Sequence, residues 1–581
     1  MSLLLPLLVL LPLIFAGVLR LPMHNWRCRA TTWYASLAVA GVTAALALLL
    51  TLGFDYEQTG IQMRGSIPWL PALGLSFSYG LDAVGLWLVL VTAVVLLPVV
   101  VLASWGETLK AGSDEEPPGD FAAFLSWVFV LGAALMGVFV AQDAILFYAC
   151  FELTLLPAVF LIARFGGPER VRAAMTYFFF AFTGSVFTLA GLLYVAWVAA
   201  NINGSWSFEF DSLYAAAATM SATEQGWLLA ALLAGFLVKT PMFPLHTWLP
   251  AAHEQAPSAG SVDVAALVLK IGPFGILKLA IPLAPVAAVN FAPVIGALAC
   301  VGVVYAALCA WVQRDAKKLL AYSSISHMGF CLLGLFAFDA GGIGASGAIF
   351  YMLAHGLATG GLILCVGILF DRFGTRDLTR LGGVATVAPG LAFFFVLFAM
   401  TSVGLPGLNG FVGEFLTMMG TFQSPTGVLG PAYAIVAASG VVLAAIYLLH
   451  LTARIVWSAP GSALSGPEHS GDALKTKGKL QRREFAMLTP LAAGCVVLGV
   501  FPQLILGPIE QPVNTYVADA TAIANQAALV IEQDGPPSRQ ESQGIEAKAL
   551  PLDTVRPVAV SDLGVLGVSA ATSSNPAVAA N

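Results

Sequence analysis

Six ionisable residues stand inside long apolar stretches, where no solvated face accounts for them: Glu152, Lys239, Lys270, His327, His355 and Glu414. A charge at the centre of a hydrocarbon layer costs about 2.5–3.5 kcal/mol on insertion scales. Such groups therefore face a protein interior or a hydrated path, and they mark ion routes by default. The residue types suit proton exchange. Burial raises a carboxylate's pKa and lowers an ammonium's, while mutual attraction does the reverse. A Lys held charged by a nearby Glu thus becomes a proton donor when the Glu moves away, and Glu152 and Lys239 are the pair this reasoning selects. Read alone, His327 and His355 fit a satisfied core residue equally well. His24 and His469 are loop residues with no signal, and His246 and His253 fit structural caps near a membrane surface.

The elements that must position these groups are membrane helices. Hydrophobic residues make up 59% of the 581 positions and charged residues 10%, whereas a soluble domain has about 25% charged. Apolar runs long enough to cross a ~30 Å layer recur near 3–19, 31–53, 81–104, 121–140, 143–163, 172–200, 227–250, 258–280, 285–312, 318–338, 343–370, 386–423, 430–457 and 485–506. With a 1.5 Å rise per residue, Glu152, Lys239, Lys270, His327 and His355 each lie about 14–18 Å from a span edge. Glu414 sits late in a twelfth span too long to be one straight helix. The expected fold is an all-α membrane protein of about 14 spans.

Charge distribution orients it. Of the 26 Lys and Arg, 19 fall in loops after odd-numbered spans, while only Arg64 and Lys278 fall in or beside loops after even-numbered spans. Arg539, Lys548 and Arg556 lie in the tail, and Lys239 and Lys270 lie within spans. The positive-inside rule then puts the odd loops in the cytoplasm and both termini outside. Residues 2–19 are apolar, but no basic residue precedes them and no cleavage site follows, so they read as a retained helix rather than a signal peptide. From about 513 onward the chain is rich in Ala, Pro, Ser and Asn and reads as a weakly ordered tail, with room for a short amphipathic helix first.

Two spans should break. The first carries Pro241 and Pro244 directly after Lys239; prolines lack a donor and clash with preceding carbonyls. The second runs Gly404-Leu405-Pro406-Gly407-Leu408-Asn409-Gly410 just before Glu414. The breaks are five spans apart. Spans 4–8 and 9–13 then form two five-helix units, the second inverted by its odd helix count, and inverted repeats with paired broken helices are a transporter pattern. The expected divisions are 1–120 (first three spans), 121–280 and 281–457 (the two repeats), 458–512 (loop and last span) and 513–581 (tail). The seven cysteines form no C-x-x-C pair, and neither an iron–sulfur nor a zinc site is suggested. No basic run with interleaved aromatics points to nucleic acid.

At these residues the sequence resembles the antiporter-like membrane-arm subunits of type I NADH:quinone oxidoreductase (complex I), and among them subunit M. The resemblance rests on Phe151-Glu152-Leu153-Thr154-Leu155-Leu156-Pro157, on Lys239 to Pro250, on Ala256-Pro257-Ser258-Ala259-Gly260-Ser261-Val262, on Ala321 to Phe330, on Gly404 to Phe415 and on Arg482-Arg483-Glu484-Phe485. It spans about residues 80 to 510. It implies that Glu152, Lys239, Lys270, His327, His355 and Glu414 form a hydrophilic axis for protons. It also implies a chain with no cofactor of its own, with NADH, FMN, iron–sulfur clusters and quinone in partner subunits and antiporter-like neighbours on both sides. Glu414, where sister subunits and multisubunit sodium/proton antiporters usually carry Lys, favours the M type. The chain departs from the pattern at Ala251, usually acidic, at Glu254, displaced to follow His253 directly, and at Asp263, usually apolar. A sodium/proton antiporter subunit, a complex fed by ferredoxin, formate or hydrogen, and a purely structural membrane subunit remain the alternatives.

Overall fold

The computed structural model describes residues 3–21, 28–58, 60–107, 120–263, 267–459, 461 and 479–534. Among these, nine helices are long and apolar enough to cross a membrane: Arg29–Leu52, Ala83–Gly106, Phe121–Val140, Ala144–Phe165, Arg170–Asn203, Pro285–Trp311, Ile343–Phe373, Pro431–Trp457 and Arg482–Val500. Leu4–Val18 and Pro389–Val403 are apolar but shorter. The expected spans near 227–250, 258–280, 318–338 and 386–423 are interrupted, short or polar, and they carry Lys239, Lys270, His327 and Glu414, four of the six candidate residues.

Two helices are buried inside the protein nearly along their whole length. The most apolar window of Ile343–Phe373 is 94% buried and that of Phe121–Val140 is 89% buried, against 28% for Arg29–Leu52. Small residues explain the first. Gly344, Gly347, Ala348, Ala354, Gly356, Ala358, Gly360 and Gly361 let neighbouring backbones approach, which drives helix association where hydrophobicity does not discriminate lipid from protein. The helix Ala316–Leu335, buried except at Lys318 and Tyr322, and the helix Asn409–Phe422 pack beside it.

The all-helical expectation needs one correction. Gln62–Leu70 and Leu75–Leu81 pair as an antiparallel hairpin with an irregular register. Its turn holds Pro71 and closes on Gly74 at φ +65, a left-handed conformation that favours glycine. Gly65 and Pro68 obscure the alternation that marks a strand. The sheet is satisfied by tertiary pairing as well, since Tyr79 bridges to Ala141.

A second correction concerns the C-terminus. Where a weakly ordered tail is expected from about 513, a helix runs over Gln503–Asp534; residues 535–581 lie outside the described part. Ile505, Ile509, Val513, Val517, Ala520 and Ala524 are buried and form one stripe at helical spacing. The stripe is short of large residues and interrupted by Pro508 and Pro512, so composition hides it. Burial across the ends of other helices supplies what its own sequence lacks.

One buried cluster fastens this helix. Asp82 caps the helix that starts at Ala83, its Oδ1 accepting from the Gly85 N–H at 2.6 Å. Its Oδ2 accepts from the Tyr516 hydroxyl at 2.5 Å and lies 3.5 Å from Lys278 Nζ. Lys278 and Asp82 are 1% and 2% exposed. The Lys278 carbonyl would normally bond to the N–H four residues on, but that residue is Pro282. The Tyr214 hydroxyl donates to it at 2.6 Å instead.

Asp82→Ala is expected to destabilise the solubilised protein by about 3–5 kcal/mol, because it leaves Lys278 buried without its carboxylate. Adding Lys278→Met should recover most of that loss in a thermal melt. A second prediction concerns Asp143, in the loop between Phe121–Val140 and Ala144–Phe165. It caps the latter through Oδ1, with Ile145 N at 2.8 Å and Leu146 N at 3.0 Å. Burial pushes its carboxyl up to about 6, against the pull of those two N–H groups and with a smaller push from Glu209. A folded pKa above the unfolded one makes its contribution greatest at low pH and lost as pH rises from about 4 to about 6. Asp143→Asn keeps the cap, and melts across that window should show the pH dependence flatten.

Candidate functional site

The helix Ala222–Lys239 starts with a capping box, Ser221 with Glu224, and ends at Lys239. Thr240 to Thr247 are turns, and the helix Trp248–Gln255 follows. The expected break after Lys239 is therefore present. Its free carbonyls find donors inside the protein. Trp248 Nε1 donates to the Val238 carbonyl at 3.1 Å, and the Met242 N–H donates to the Leu237 carbonyl, which Pro241 leaves without its usual donor, at 3.0 Å. Lys239 sits in the last turn, where the helix dipole favours a cation. The neighbouring helix segment passes the break at Gly272, where a Cβ would meet Thr240 Oγ1 at 2.1 Å and the Phe236 carbonyl at 2.5 Å.

Lys239 is 1% exposed. Its Nζ donates to the Thr154 hydroxyl at 2.9 Å and lies 4.9 Å from the Phe151 ring centroid, within cation–π range. The expected Glu152–Lys239 ion pair is not formed. Glu152, only half-buried, stands two residues before Thr154 near the end of Ala144–Leu153, where the helix path is interrupted at Thr154. The paired reading correctly selects the neighbourhood but not the contact, because helix rotation about Thr154 sets which side chain reaches the ammonium.

The other four residues form one buried row, in which His355 and His327 meet through their rings and His355 Nε2 has no hydrogen-bond partner among the described residues. Lys270 Nζ lies 2.6 Å from His355 Nδ1. The His355 and His327 rings are 5.7 Å apart between centroids. His327 Nδ1 lies 3.3 Å from Glu414 Oε1. Tyr351 joins both, its hydroxyl donating to Glu414 Oε1 at 2.5 Å and also contacting His327 Nδ1. Lys270, His355, His327 and Glu414 are 2%, 4%, 1% and 3% exposed. The second break, between Pro389–Val403 and Asn409–Phe422, positions Glu414. Gly404 closes the first of these helices at φ +81. Gly413 lets the second seat against Tyr351, since a Cβ there would stand 2.6 Å from the Tyr351 Cβ.

Four contributors were not selected from the sequence. Thr154, Tyr351 and Tyr447 are uncharged and look like ordinary span residues, though Tyr351 lies four residues before His355 and so on its helix face. Tyr447 approaches His327 Nε2 at 3.4 Å and bonds Ser323 Oγ at 2.8 Å. His253, read as a cap, is 1% exposed and lies within electrostatic reach of Lys270 and Lys317. The Asp263 side chain lies outside the described part. Among the described residues no three His, Cys, Asp or Glu side chains cluster as metal ligands, and all seven cysteines are free thiols.

This arrangement of broken helices around a buried polar line has known relatives. Residues 141–443 match the family model described as "NADH:quinone oxidoreductase/Mrp antiporter, TM", and the chain belongs to this family. It is 39% identical to NADH-quinone oxidoreductase subunit M of Rhodobacter capsulatus over 509 residues, covering 86% of this chain and 94% of that one. It is 35% identical to subunit M of Escherichia coli strain K12 over 514 residues, 87% and 95% of the two chains. A chain of respiratory complex I from Thermus thermophilus superposes with a TM-score of 0.75 at 30% identity, over 88% of this chain and 99% of that one. The Mrp complex of a Dietzia species shares the fold at a TM-score of 0.70 and 22% identity, over 90% of this chain and 99% of that one. Within the family the chain is therefore of the subunit M type.

Gly272→Val should block the close seating against the Lys239 break and sharply lower the yield of folded, membrane-extracted protein. Gly226→Ala, whose new Cβ would meet its nearest atom at 3.8 Å, should leave that yield unchanged.

Proposed function

We propose that this chain is a proton-translocating membrane-arm subunit of an NADH:quinone oxidoreductase, with Glu152, Lys239, Lys270, His327, His355 and Glu414 as its proton path. The observation that carries this reading is the buried row of Lys270, His355, His327 and Glu414, running between two interrupted helices. Charged and polar groups buried at membrane depth are functional by default, and irregular backbone there is tolerated where it lines a route. The names of the M-type relatives supply the NADH:quinone oxidoreductase context. Moving one charge against 100 mV costs about 2.3 kcal/mol, so redox partners elsewhere in the assembly supply the drive, and this chain carries no redox centre or cofactor itself.

The architecture in this proposal has fourteen spans, with 121–280 and 281–457 as inverted five-helix repeats, 1–120 and 458–512 flanking them, and both termini outside the plasma membrane. The described helices and the loop charges support it. The Lys239 contacts then serve the first repeat and the Glu414 contacts the second. Lys270 shares a proton with His355, because both are bases and 2.6 Å admits one hydrogen between them. Lys239, held by a neutral hydroxyl rather than by Glu152, is in the arrangement that favours release of its proton. Glu152, half-buried at mid-depth, is where the chain opens toward a neighbouring antiporter-like subunit.

The test is proton pumping by the whole complex in proteoliposomes, read as protons moved per NADH oxidised. Lys270→Ala and His355→Ala are each expected to lower that ratio by at least tenfold. The double variant should lower it no further than the worse single one, as two groups sharing one proton require. A wild-type ratio in Lys270→Ala would overturn the proposal in favour of a structural role, and sodium-dependent antiport without NADH would favour the antiporter reading.

A further inference from the structure

Glu414 and His327 are neighbours on the buried line, and their direct contact is poorly suited to a proton step. His327 Nδ1 and Glu414 Oε1 are 3.3 Å apart, longer than the ~2.7–2.9 Å of a charge-assisted hydrogen bond. The Tyr351 hydroxyl touches both at shorter range. We propose that Tyr351 is a relay residue that carries the proton between His327 and Glu414 through its phenol oxygen. This rests on the proton-path reading and adds a residue that the charged positions alone do not reveal.

The donor directions define the step. A carboxylate oxygen only accepts, so the Tyr351 O–H points at Glu414 Oε1, and the phenol oxygen is left to accept from His327 Nδ1. When His327 carries two protons, the Nδ1–H bond breaks as a new O–H bond forms on Tyr351. The original Tyr351 O–H bond breaks as an O–H bond forms on Glu414. The imidazolium becomes neutral imidazole, the carboxylate becomes a carboxylic acid, and the phenol ends as it began. No other reactant is needed. Rotation of the phenol hydrogen back toward His327 permits the reverse step.

The surroundings keep the three groups in register. Tyr351 is 3% exposed and sits on Ile343–Phe373 one turn before His355, so the relay and the Lys270–His355 contact share one rigid helix. Gly413 admits the Tyr351 side chain beside Glu414. The other imidazole nitrogen, Nε2, faces the Tyr447 hydroxyl at 3.4 Å, which Ser323 holds at 2.8 Å. That contact orients the ring and directs Nδ1 at Tyr351. The other charged or titratable groups around the site are Lys270 and His355 on the line, His253 within electrostatic reach of His355, Cys331 one turn beyond His327, and Tyr447.

The experiment uses the whole complex in proteoliposomes and compares three variants by protons moved per NADH oxidised. Tyr351→Phe keeps the ring and removes the oxygen, and at least a tenfold drop is expected. Glu414→Gln is the reference for the path itself. A drop in Glu414→Gln with a wild-type ratio in Tyr351→Phe would overturn the relay and leave the proposed function standing, whereas wild-type ratios in both would overturn the two together. The third variant carries 3,5-difluorotyrosine at position 351, which has the shape of tyrosine and a more acidic hydroxyl. It decides the matter even if Tyr351→Phe fails to assemble. A relay shifts the pH profile of pumping, and an unshifted profile, as expected of a residue that merely fills space, would overturn the proposal.

Discussion

Water is scarce in the hydrocarbon layer, so a backbone carbonyl freed at a helix break must find its donor inside the protein. Much of the local chemistry of this chain follows from that requirement. At the Lys239 break the donors are the Trp248 indole and the Met242 N–H. Where Pro282 removes a donor, Tyr214 supplies one. After Val403 the chain turns through a left-handed Gly404, whose N–H bonds back to the Thr401 carbonyl at 3.2 Å. Each break is thereby made affordable, and each leaves an ionisable side chain at or near a helix end within the membrane.

The same scarcity governs the side chains. A buried ammonium or carboxylate is stable only with partners, and here the partners are largely neutral: a threonine for Lys239, an imidazole for Lys270, a phenol for Glu414. Strong opposite-charge pairs would pin protons in place. Among the described residues, the pair of fully buried opposite charges away from the line, Asp82 with Lys278, lies where rigidity serves, at the anchor of the Gln503–Asp534 helix. Neutral partners let a proton's position change at small cost, which suits a path and does not suit an anchor.

Packing decides how these groups meet. The helix Ile343–Phe373 carries both Tyr351 and His355 and is buried almost throughout. Glycines thin the contact wherever a functional side chain has to be reached, at Gly272 beside the Lys239 break and at Gly413 beside Tyr351. The helices that face outward keep the large exposed residues, among them Phe179, Phe187, Trp197 and Phe291, which suit lipid or a neighbouring subunit.

By itself the sequence determined the membrane class, the two broken helices and the six ionisable residues, because prolines, glycines and charges in apolar runs are local signals with steep costs. It could not reveal the hairpin at 62–81 or the full extent of the helix at 503–534, where it left room only for a short amphipathic helix, because their apolar patterns are weak and their stability comes from what they pack against. Nor could it pair the site. Lys270 with His355 and Glu414 with Tyr351 join residues 85 and 63 positions apart, and Lys239 meets Thr154 rather than Glu152. Depth along a helix is readable from residue count, but rotation about the helix axis is set by neighbouring helices. Only the tertiary structure decided which groups at equal depth touch, and so which polar residues without charge complete the line.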